Sequence, residues 1–283
     1  HGVQQDQIVA GTGSVAVLAH AVQALADAEA DVVYPWRSFE SYPILTGIAG
    51  AQAVHVPLGD NGRIDLGQVL DALTPRTRIV ILCTPNNPTS TALQQTELVE
   101  FLKAAPADVA VFLDEAYAEF VTDPAAASGI PLIGKYPNLV VFRTFSKAYG
   151  LAGLRVGYSV SHPTLAAGIR ACTIPFGVNE VAASAALAAL AAEAEIMTRV
   201  DQIVTERERM KAALRDQGWN LPDSQANYFW LALGAATTDA AALARQNDLL
   251  VRAFPGEGIR VSLGTPAEND RVLAVTKRWR GLG

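Results

Sequence analysis

Cysteine and histidine are scarce in this sequence of 283 residues, which contains two cysteines and four histidines. Cys83 and Cys172 are too few to cross-link a chain of this length and form no Cys-x-x-Cys motif, so we expect free thiols. The histidines lack the short spacings of metal ligands; they are His1, His20, His55 and His162. The sequence therefore predicts neither a disulfide scaffold nor a metal site.

Basic residues and long apolar runs are also few. Lys and Arg number 22 against 28 Asp and Glu, a formal net charge of −6, which disfavours binding to nucleic acid or to an anionic membrane. The most apolar stretch, residues 181–194, is too short to span a bilayer and contains Ser184 and Glu193. No basic segment followed by an apolar one opens the sequence. We therefore expect a cytoplasmic protein that binds neither nucleic acid nor membrane.

Half of the residues are hydrophobic, enough to form a large core. Through the first two thirds of the chain, short strand-like runs alternate with helical segments such as 14–28 and 94–105. The strand-like runs are residues 7–10, 31–34, 53–56, 78–83, 110–113, 139–142 and 155–159. Several are apolar at successive positions, typical of strands covered on both faces. The pattern predicts an α/β fold with three layers, in which helices cover both faces of a mainly parallel central sheet.

The pattern changes after about residue 178. Helical sequence runs almost unbroken over 180–217 and ends at Gly218, a residue that commonly terminates helices. Strand-like runs follow at 228–233, 249–252 and 259–263, with a helix near 238–246. These elements predict a smaller α+β C-terminal domain, residues 201–283, after a large domain of residues 1–200.

The glycine-rich segment Gly11-Thr12-Gly13-Ser14 follows the first predicted strand and opens a helix. Glycines let a ligand approach the backbone, and the free N–H groups of a helix start favour a phosphate. With Ala16 the segment also matches Gly-x-Gly-x-x-Gly/Ala, so a dinucleotide site is an alternative, although Asp31 precedes the next strand instead of ending it. A simple glycine turn with a serine cap is a third interpretation.

Three further segments place polar residues where predicted strands end, which is the edge at which open α/β sheets bind ligands. The stretch 84–89 is a stiff turn containing Asn87. A carboxylate at Asp114 needs a cation or a strong donor if it is buried, and otherwise caps a helix. Lys147 is the only one of five lysines that follows an apolar strand among hydroxyls and glycines. A desolvated lysine near cations becomes a nucleophile for carbonyl groups, whereas a surface lysine would only cap a helix.

Together these segments supply an amine, an acid, an amide and a phosphate cradle, the groups that a protein provides for pyridoxal 5′-phosphate. Here the sequence resembles the fold-type-I aminotransferases, and among them the histidinol-phosphate aminotransferase branch, from about residue 7 to the C-terminus. The motif Ser146-Lys147-Ala148-Tyr149-Gly150-Leu151-Ala152-Gly153-Leu154-Arg155 is highly specific for that family.

The resemblance implies a role for each matching residue. Lys147 would bind the cofactor covalently, and Asp114 and Tyr117 would act with it in catalysis by contacting the ring nitrogen and the ring oxygen, which Asn87 shares. The residues implied for the phosphate are Thr12, Gly13, Ser14, Thr144, Ser146 and Arg155. Phe39 would stack on the ring. Arg260 would clamp the acidic group of the substrate, and Arg252 is a second candidate for that contact.

The resemblance also implies a homodimer that transfers an amino group between an amino acid and a 2-oxo acid. Segments 36–40, 218–222 and 224–230 look most like actinobacterial members acting on phenylalanine, tyrosine or tryptophan. Histidinol phosphate is the alternative substrate, and a non-catalytic binding domain of the same fold is a further alternative. Two features depart from the family pattern. Ser90 stands where glycine is common, and family chains usually carry several dozen residues before the glycine loop, among them a tyrosine that reaches the partner's phosphate.

Overall fold

The computed structural model describes residues 1–281, and its larger β-sheet has seven strands. They are β1 (Ile8–Gly11), β2 (Asp31–Trp36), β3 (Gln52–Pro57), β4 (Thr77–Cys83), β5 (Ala110–Asp114), β6 (Leu139–Thr144) and β7 (Gly157–Ser161). Their order is β1-β7-β6-β5-β4-β2-β3. Strands β2 to β6 are parallel, β7 runs antiparallel to β6, and β1 runs antiparallel to β7. The predicted mainly parallel sheet is confirmed, and β1 ends at the same edge as β4, β5 and β6.

Helices cover both faces of this sheet. The α-helices are α1 (Ser14–Leu25), α2 (Ser41–Ile48), α3 (Leu66–Asp71), α4 (Gln95–Ala104), α5 (Pro163–Ala171), α6 (Glu180–Ala191), α7 (Glu193–Asp216), α8 (Thr237–Gln246) and α9 (Pro266–Trp279). Successive strand residues point to opposite faces. Val32 packs in the cluster that includes α1 and α5, while Val33 packs in the cluster that includes α3 and α4. Because both faces are covered, successive positions of a strand are apolar, and the three-layer prediction holds.

A smaller antiparallel sheet lies in the C-terminal part of the chain. Its strands are β8 (Tyr228–Ala232), β9 (Arg252–Phe254) and β10 (Gly258–Ser262), in the order β8-β10-β9. Their core is shared with α7, α8 and α9. Helix α7 also contacts the larger unit through Arg207, which is fully buried and donates to the backbone oxygen of Phe120 at 2.7 Å and to Thr122 Oγ1 at 2.8 Å. The predicted domain boundary near residue 200 lies within α7 and stays a prediction.

The helix predicted over 180–217 is broken. At Ala192 the backbone leaves the helical region (φ −98°, ψ 21°), and α6 and α7 meet there at 77°. The sequence gives no stop signal, because alanine and glutamate favour helix on both sides of the break. Within residues 1–281 no single helix is long and apolar enough to cross a bilayer, although α6 and α7 reach that length when taken together across the bend.

Two predicted strands are displaced along the chain. The strand predicted at 155–159 begins at Gly157, because Arg155 has a left-handed backbone (φ 57°) that cannot continue a strand. The strand predicted at 249–252 begins only at Arg252, after a turn in which Asp248 also has positive φ. The helices α2, α3, α5 and α9 were not predicted. Helix α9 nevertheless carries a signal, since Thr265 and Glu268 form a capping box around Pro266.

Candidate active site

A cavity of about 470 Å³ lies at the carboxyl edge of the large sheet, between this sheet and the β9–β10 hairpin. Eleven of the thirteen residues predicted for the site line it: Ser14, Phe39, Asn87, Asp114, Tyr117, Thr144, Ser146, Lys147, Arg155, Arg252 and Arg260. They come from β1, β2, β4, β5 and β6 or the segments that follow these strands, and from the hairpin. Parallel strands bring their carboxyl ends together at one edge, so residues far apart in sequence share this cavity.

Thr12 and Gly13 are not among the residues that line the cavity. Gly13 nevertheless lies against Arg155, which does line the cavity. It has φ of +90°, and a Cβ atom there would lie 2.5 Å from Nη2 of Arg155. Only glycine therefore allows the loop to approach this guanidinium so closely. The predicted contact of Thr12 with a phosphate stays a prediction.

Lys147 and Asp114 face this cavity from the ends of two neighbouring strands. Nζ of Lys147 lies 5.3 Å from the centre of the Tyr117 ring. Burial and the nearby guanidinium groups of Arg260 and Arg155 lower the pKa of Lys147, and the carboxylate of Asp114 opposes them. The amine is therefore neutral more often than a surface lysine at the same pH, as nucleophilic and proton-transfer chemistry requires.

Asp114 is buried and held by two donors. Tyr42 OH donates to Oδ2 at 2.9 Å, and the backbone N–H of Ala116 donates to Oδ1 at 3.2 Å. Burial raises the pKa of Asp114 to about 6, although both hydrogen bonds and Lys147 favour the ionised form. Asp114 is thus ionised at neutral pH at a cost in free energy, which a cationic ligand would offset.

The hydroxyl and guanidinium groups of Ser14, Thr144, Ser146 and Arg155 line the cavity and are the candidates for binding an anion. Arg155 Nη1 donates to the backbone oxygen of Ala152 at 2.7 Å and to Ser146 Oγ at 3.4 Å. The backbone N–H of Ser146 donates to Thr144 Oγ1, and Ser14 begins helix α1. Arg155 forms no ion pair within the described residues. A free guanidinium, three hydroxyls and a helix N-terminus are suited to a phosphate group.

The hairpin supplies two further arginines to the cavity. Arg260 Nη1 donates to Asn87 Oδ1 at 2.6 Å, its guanidinium lies 5.1 Å from the centre of the Tyr228 ring, and its buried Nε has no partner. Arg252 instead forms an ion pair with Glu40, with Nη2 2.6 Å from Oε2. Of the two predicted substrate-binding arginines, Arg260 has unused donors, whereas Arg252 is already paired.

Sequence reasoning missed three polar residues of this site, Tyr42, Cys83 and Glu40. Tyr42 lies on α2, a helix that the sequence analysis did not predict, and its contact with Asp114 carries no local signal. Cys83 lies opposite Asp114 in the β4–β5 register and also lines the cavity. Cys83 ends the strand predicted at 78–83, and this position could have indicated that it lies near the site. Glu40 adjoins Phe39, but its partner Arg252 is 212 residues away.

The dinucleotide alternative is wrong. Strand β1 lies at the edge of the large sheet and pairs with the antiparallel β7, so β1, α1 and β2 do not form the unit of adjacent parallel strands that a dinucleotide motif needs. Asp31 begins β2, and its carboxylate accepts hydrogen bonds from Thr74 and Arg76. It is therefore at the wrong end of the strand to bind a ribose.

Known proteins are similar to this chain in sequence. A family model for aminotransferases of class I and II matches residues 1–275. The aromatic amino acid aminotransferase of Streptomyces avermitilis is 48% identical over 279 residues, which are 99% of this chain and 78% of that protein. The protein of the same name from Thermobifida fusca is 50% identical over 277 residues, 98% of this chain and 77% of that protein.

A solved structure agrees with these relatives. Histidinol-phosphate aminotransferase from Sinorhizobium meliloti in complex with pyridoxal-5′-phosphate superposes with a TM-score of 0.89 at 29% identity, covering 100% of this chain and 79% of that one. The resemblance to fold-type-I aminotransferases is thus confirmed. This chain belongs to the class I and II aminotransferase family, whose members use pyridoxal phosphate to move amino groups between amino acids and 2-oxo acids.

Proposed function

We propose that this chain transfers an amino group from an aromatic amino acid to a 2-oxo acid such as 2-oxoglutarate. One observation carries most of the argument. The amine of Lys147 and the buried carboxylate of Asp114 face a single cavity, whose remaining unpaired charges are the guanidinium groups of Arg155 and Arg260. This arrangement suits a ligand with a cationic nitrogen and two anionic groups.

The cavity residues fit pyridoxal phosphate. Ser14, Thr144, Ser146 and Arg155 would hold the phosphate. Phe39 would stack on the ring, and the carboxylate of Asp114 would accept a hydrogen bond from the protonated ring nitrogen. Asn87 and Tyr117 are the candidates for the ring oxygen. When bound, the cofactor supplies an electron sink for the bond that breaks at the substrate's Cα.

Lys147 is the group proposed to move the proton. Its lowered pKa increases the neutral fraction of Nζ, which would take a proton from Cα of the substrate as a base and then deliver it, as an acid, to the cofactor carbon C4′. Lys147 follows β6, the strand next to β5, so its amine lines the same cavity as the carboxylate of Asp114. Tyr117 lies beneath the amine and excludes water from that side.

Arg260 is the proposed anchor for the substrate's carboxylate. A guanidinium binds a carboxylate through two parallel hydrogen bonds, and the unpartnered Nε of Arg260 offers one of these donors. The Tyr228 ring below the guanidinium and the Asn87 amide oxygen beside it fix its orientation. The names of the Streptomyces and Thermobifida relatives support an aromatic side chain in the remaining space.

Histidinol phosphate is the second candidate substrate. The similarity to the Sinorhizobium histidinol-phosphate aminotransferase supports it, and so does one observation in this chain, namely that Arg252 lines the cavity beside Arg260 and could meet a phosphate. The pairing of Arg252 with Glu40 weakens that argument, because an arginine neutralised by a carboxylate attracts an anion less strongly.

The test of this function compares donors with 2-oxoglutarate as the acceptor. We expect kcat/KM for phenylalanine to exceed that for histidinol phosphate, since the second arginine is neutralised. A marked preference for histidinol phosphate would contradict the aromatic assignment and leave the aminotransferase assignment intact. Binding of pyridoxal phosphate without turnover of either donor would favour the non-catalytic alternative.

We further propose that the active form is a homodimer. Helix α6 buries only Ala182, Ala186 and Ala189 and leaves larger apolar side chains in solvent, as does the segment before it. The exposed residues are Ile174 (70%), Phe176 (100%), Val181 (69%), Leu187 (69%) and Leu190 (47%). Clustered apolar residues of this size on a folded surface indicate a protein interface.

Introducing charge into this apolar surface should separate the subunits. We expect the double variant Phe176→Asp and Leu187→Asp to sediment as a monomer at concentrations where the wild type is a dimer, because a carboxylate buried in an apolar interface is strongly unfavourable. Leu250→Asp is the matched control, since Leu250 is 91% exposed but lies outside this surface. A wild-type protein that sediments as a monomer would contradict the proposal.

A further inference from the structure

The two arginines of the hairpin are direct neighbours with different partners. Arg252 and Arg260 are paired across β9 and β10, so their side chains leave the same face of the hairpin, and both line the cavity. Glu40 accepts two donors from Arg252, Nε at 3.1 Å and Nη2 at 2.6 Å. Among the described residues Arg260 has no carboxylate partner; the amide oxygen of Asn87 accepts its Nη1. One wall of the cavity therefore carries one free cation and one neutralised cation.

We propose that Glu40 is a specificity-determining residue that selects substrates with an uncharged side chain by neutralising Arg252. The inference rests on the proposed function, in which Arg260 binds the carboxylate common to all substrates. A substrate with a second anionic group would need a second cation, and Arg252 is the cavity arginine next to Arg260. While Glu40 is paired with the guanidinium of Arg252, the second anionic group of such a substrate must displace the Glu40 carboxylate from the same donors.

Because this ion pair is exposed to solvent, it can be removed by mutation at little cost in folding stability. The side chains of Arg252 and Glu40 are 55% and 41% exposed, and a pair so open to solvent contributes little to folding stability. Removing the charge of Glu40 should therefore leave the fold intact and free the planar fork of Arg252 for a carboxylate or a phosphate. On this proposal the wild type still accepts 2-oxoglutarate as a substrate, and Glu40 raises the KM for it.

The test is Glu40→Gln, which keeps the length of the side chain and removes its charge. We expect the ratio of kcat/KM for glutamate to that for phenylalanine to rise at least about tenfold, the effect of a new hydrogen-bonded ion pair. KM for 2-oxoglutarate should fall. Independently of turnover, calorimetry on the cofactor-loaded protein should show tighter binding of glutarate and unchanged binding of 3-phenylpropionate, two acids that do not react.

A second ion pair between the same two segments provides the matched control. Arg37 and Glu257 also join the loop after β2 to the β9–β10 hairpin, but neither lines the cavity. Glu257→Gln should leave the glutamate-to-phenylalanine ratio unchanged. Adding Arg252→Gln to Glu40→Gln should remove the gain, because the freed cation is then absent.

Two results would overturn the role of Glu40: an unchanged ratio and unchanged glutarate binding in Glu40→Gln, or equal changes in Glu257→Gln. Failure of the proposed function is a separate result. If the wild type does not transaminate phenylalanine, the aromatic assignment is wrong, yet the binding of glutarate and 3-phenylpropionate still decides whether Glu40 restrains Arg252.

Discussion

Lys147→Ala should abolish transamination, with kcat at least about a thousandfold below the wild type, since both the nucleophile and the proton-transfer group are lost. Among the residues that line the cavity Lys147 is the only lysine, so no neighbouring amine replaces it. Steady-state turnover of phenylalanine with 2-oxoglutarate measures the loss. Borohydride reduction of the wild type followed by peptide mass spectrometry should locate the cofactor on Lys147.

Lys147→Arg distinguishes these roles from that of a simple positive charge. Arginine keeps a cation opposite Asp114 but does not lose its proton in a protein, so it can serve neither as a base nor as a nucleophile. We expect this variant to be as inactive as the alanine variant. Lys135→Ala, on the exposed surface, should retain full activity. Substantial turnover by Lys147→Arg, or a cofactor label on another lysine, would contradict the assignment.

The residues at strand ends were the part of the site that could be predicted from sequence. Asp114, Asn87 and Lys147 each follow an apolar run of the α/β pattern, and parallel strands deliver such residues to one edge. Their chemistry is local to short motifs, so neither loop geometry nor exact strand bounds were needed. Thr12 belongs to the same kind of motif but is not among the residues that line the cavity, so its predicted contact with a phosphate stays a prediction.

Contacts that depend on register between distant elements could not be predicted. The pairing of Arg252 with Arg260 requires the β9–β10 register, and the ion pair of Arg252 with Glu40 joins residues 212 positions apart. Tyr42 reaches Asp114 only because α2 packs against α1 and β3. The break at Ala192 likewise follows from packing, because the local alanine-rich sequence favours an uninterrupted helix. Sequence therefore indicated which groups carry the chemistry, and tertiary structure determines their charge states and partners.

Asp114→Asn should lower kcat by about a hundredfold or more, because a neutral amide no longer stabilises a proton on the cofactor's ring nitrogen. The same change should stabilise the cofactor-free protein. Burial raises the pKa of Asp114 from about 3.8 to about 6, so the folded protein binds the proton more tightly than the unfolded chain. Stability therefore falls as pH rises through this interval, and the full penalty, about 3 kcal/mol, is present above pH 6. Asparagine avoids it, since it can accept from the Ala116 N–H and donate to the Tyr42 hydroxyl.

Urea unfolding at two pH values tests this energetic account. At pH 5 the folded wild type still holds most of the proton on Asp114, so the stabilisation by Asp114→Asn should be about 1 kcal/mol smaller than at pH 8. Asp31→Asn is the matched control, for which we expect a change in folding stability of the opposite sign. Asp31 is also buried, at the start of β2, but its hydrogen bond with Arg76 lowers its pKa, so asparagine there should destabilise the protein at both pH values. A loss of stability in cofactor-free Asp114→Asn at pH 8 would mean that the carboxylate contributes to folding. In that case Asp114 would not be held ionised at the expense of stability for a cationic ligand.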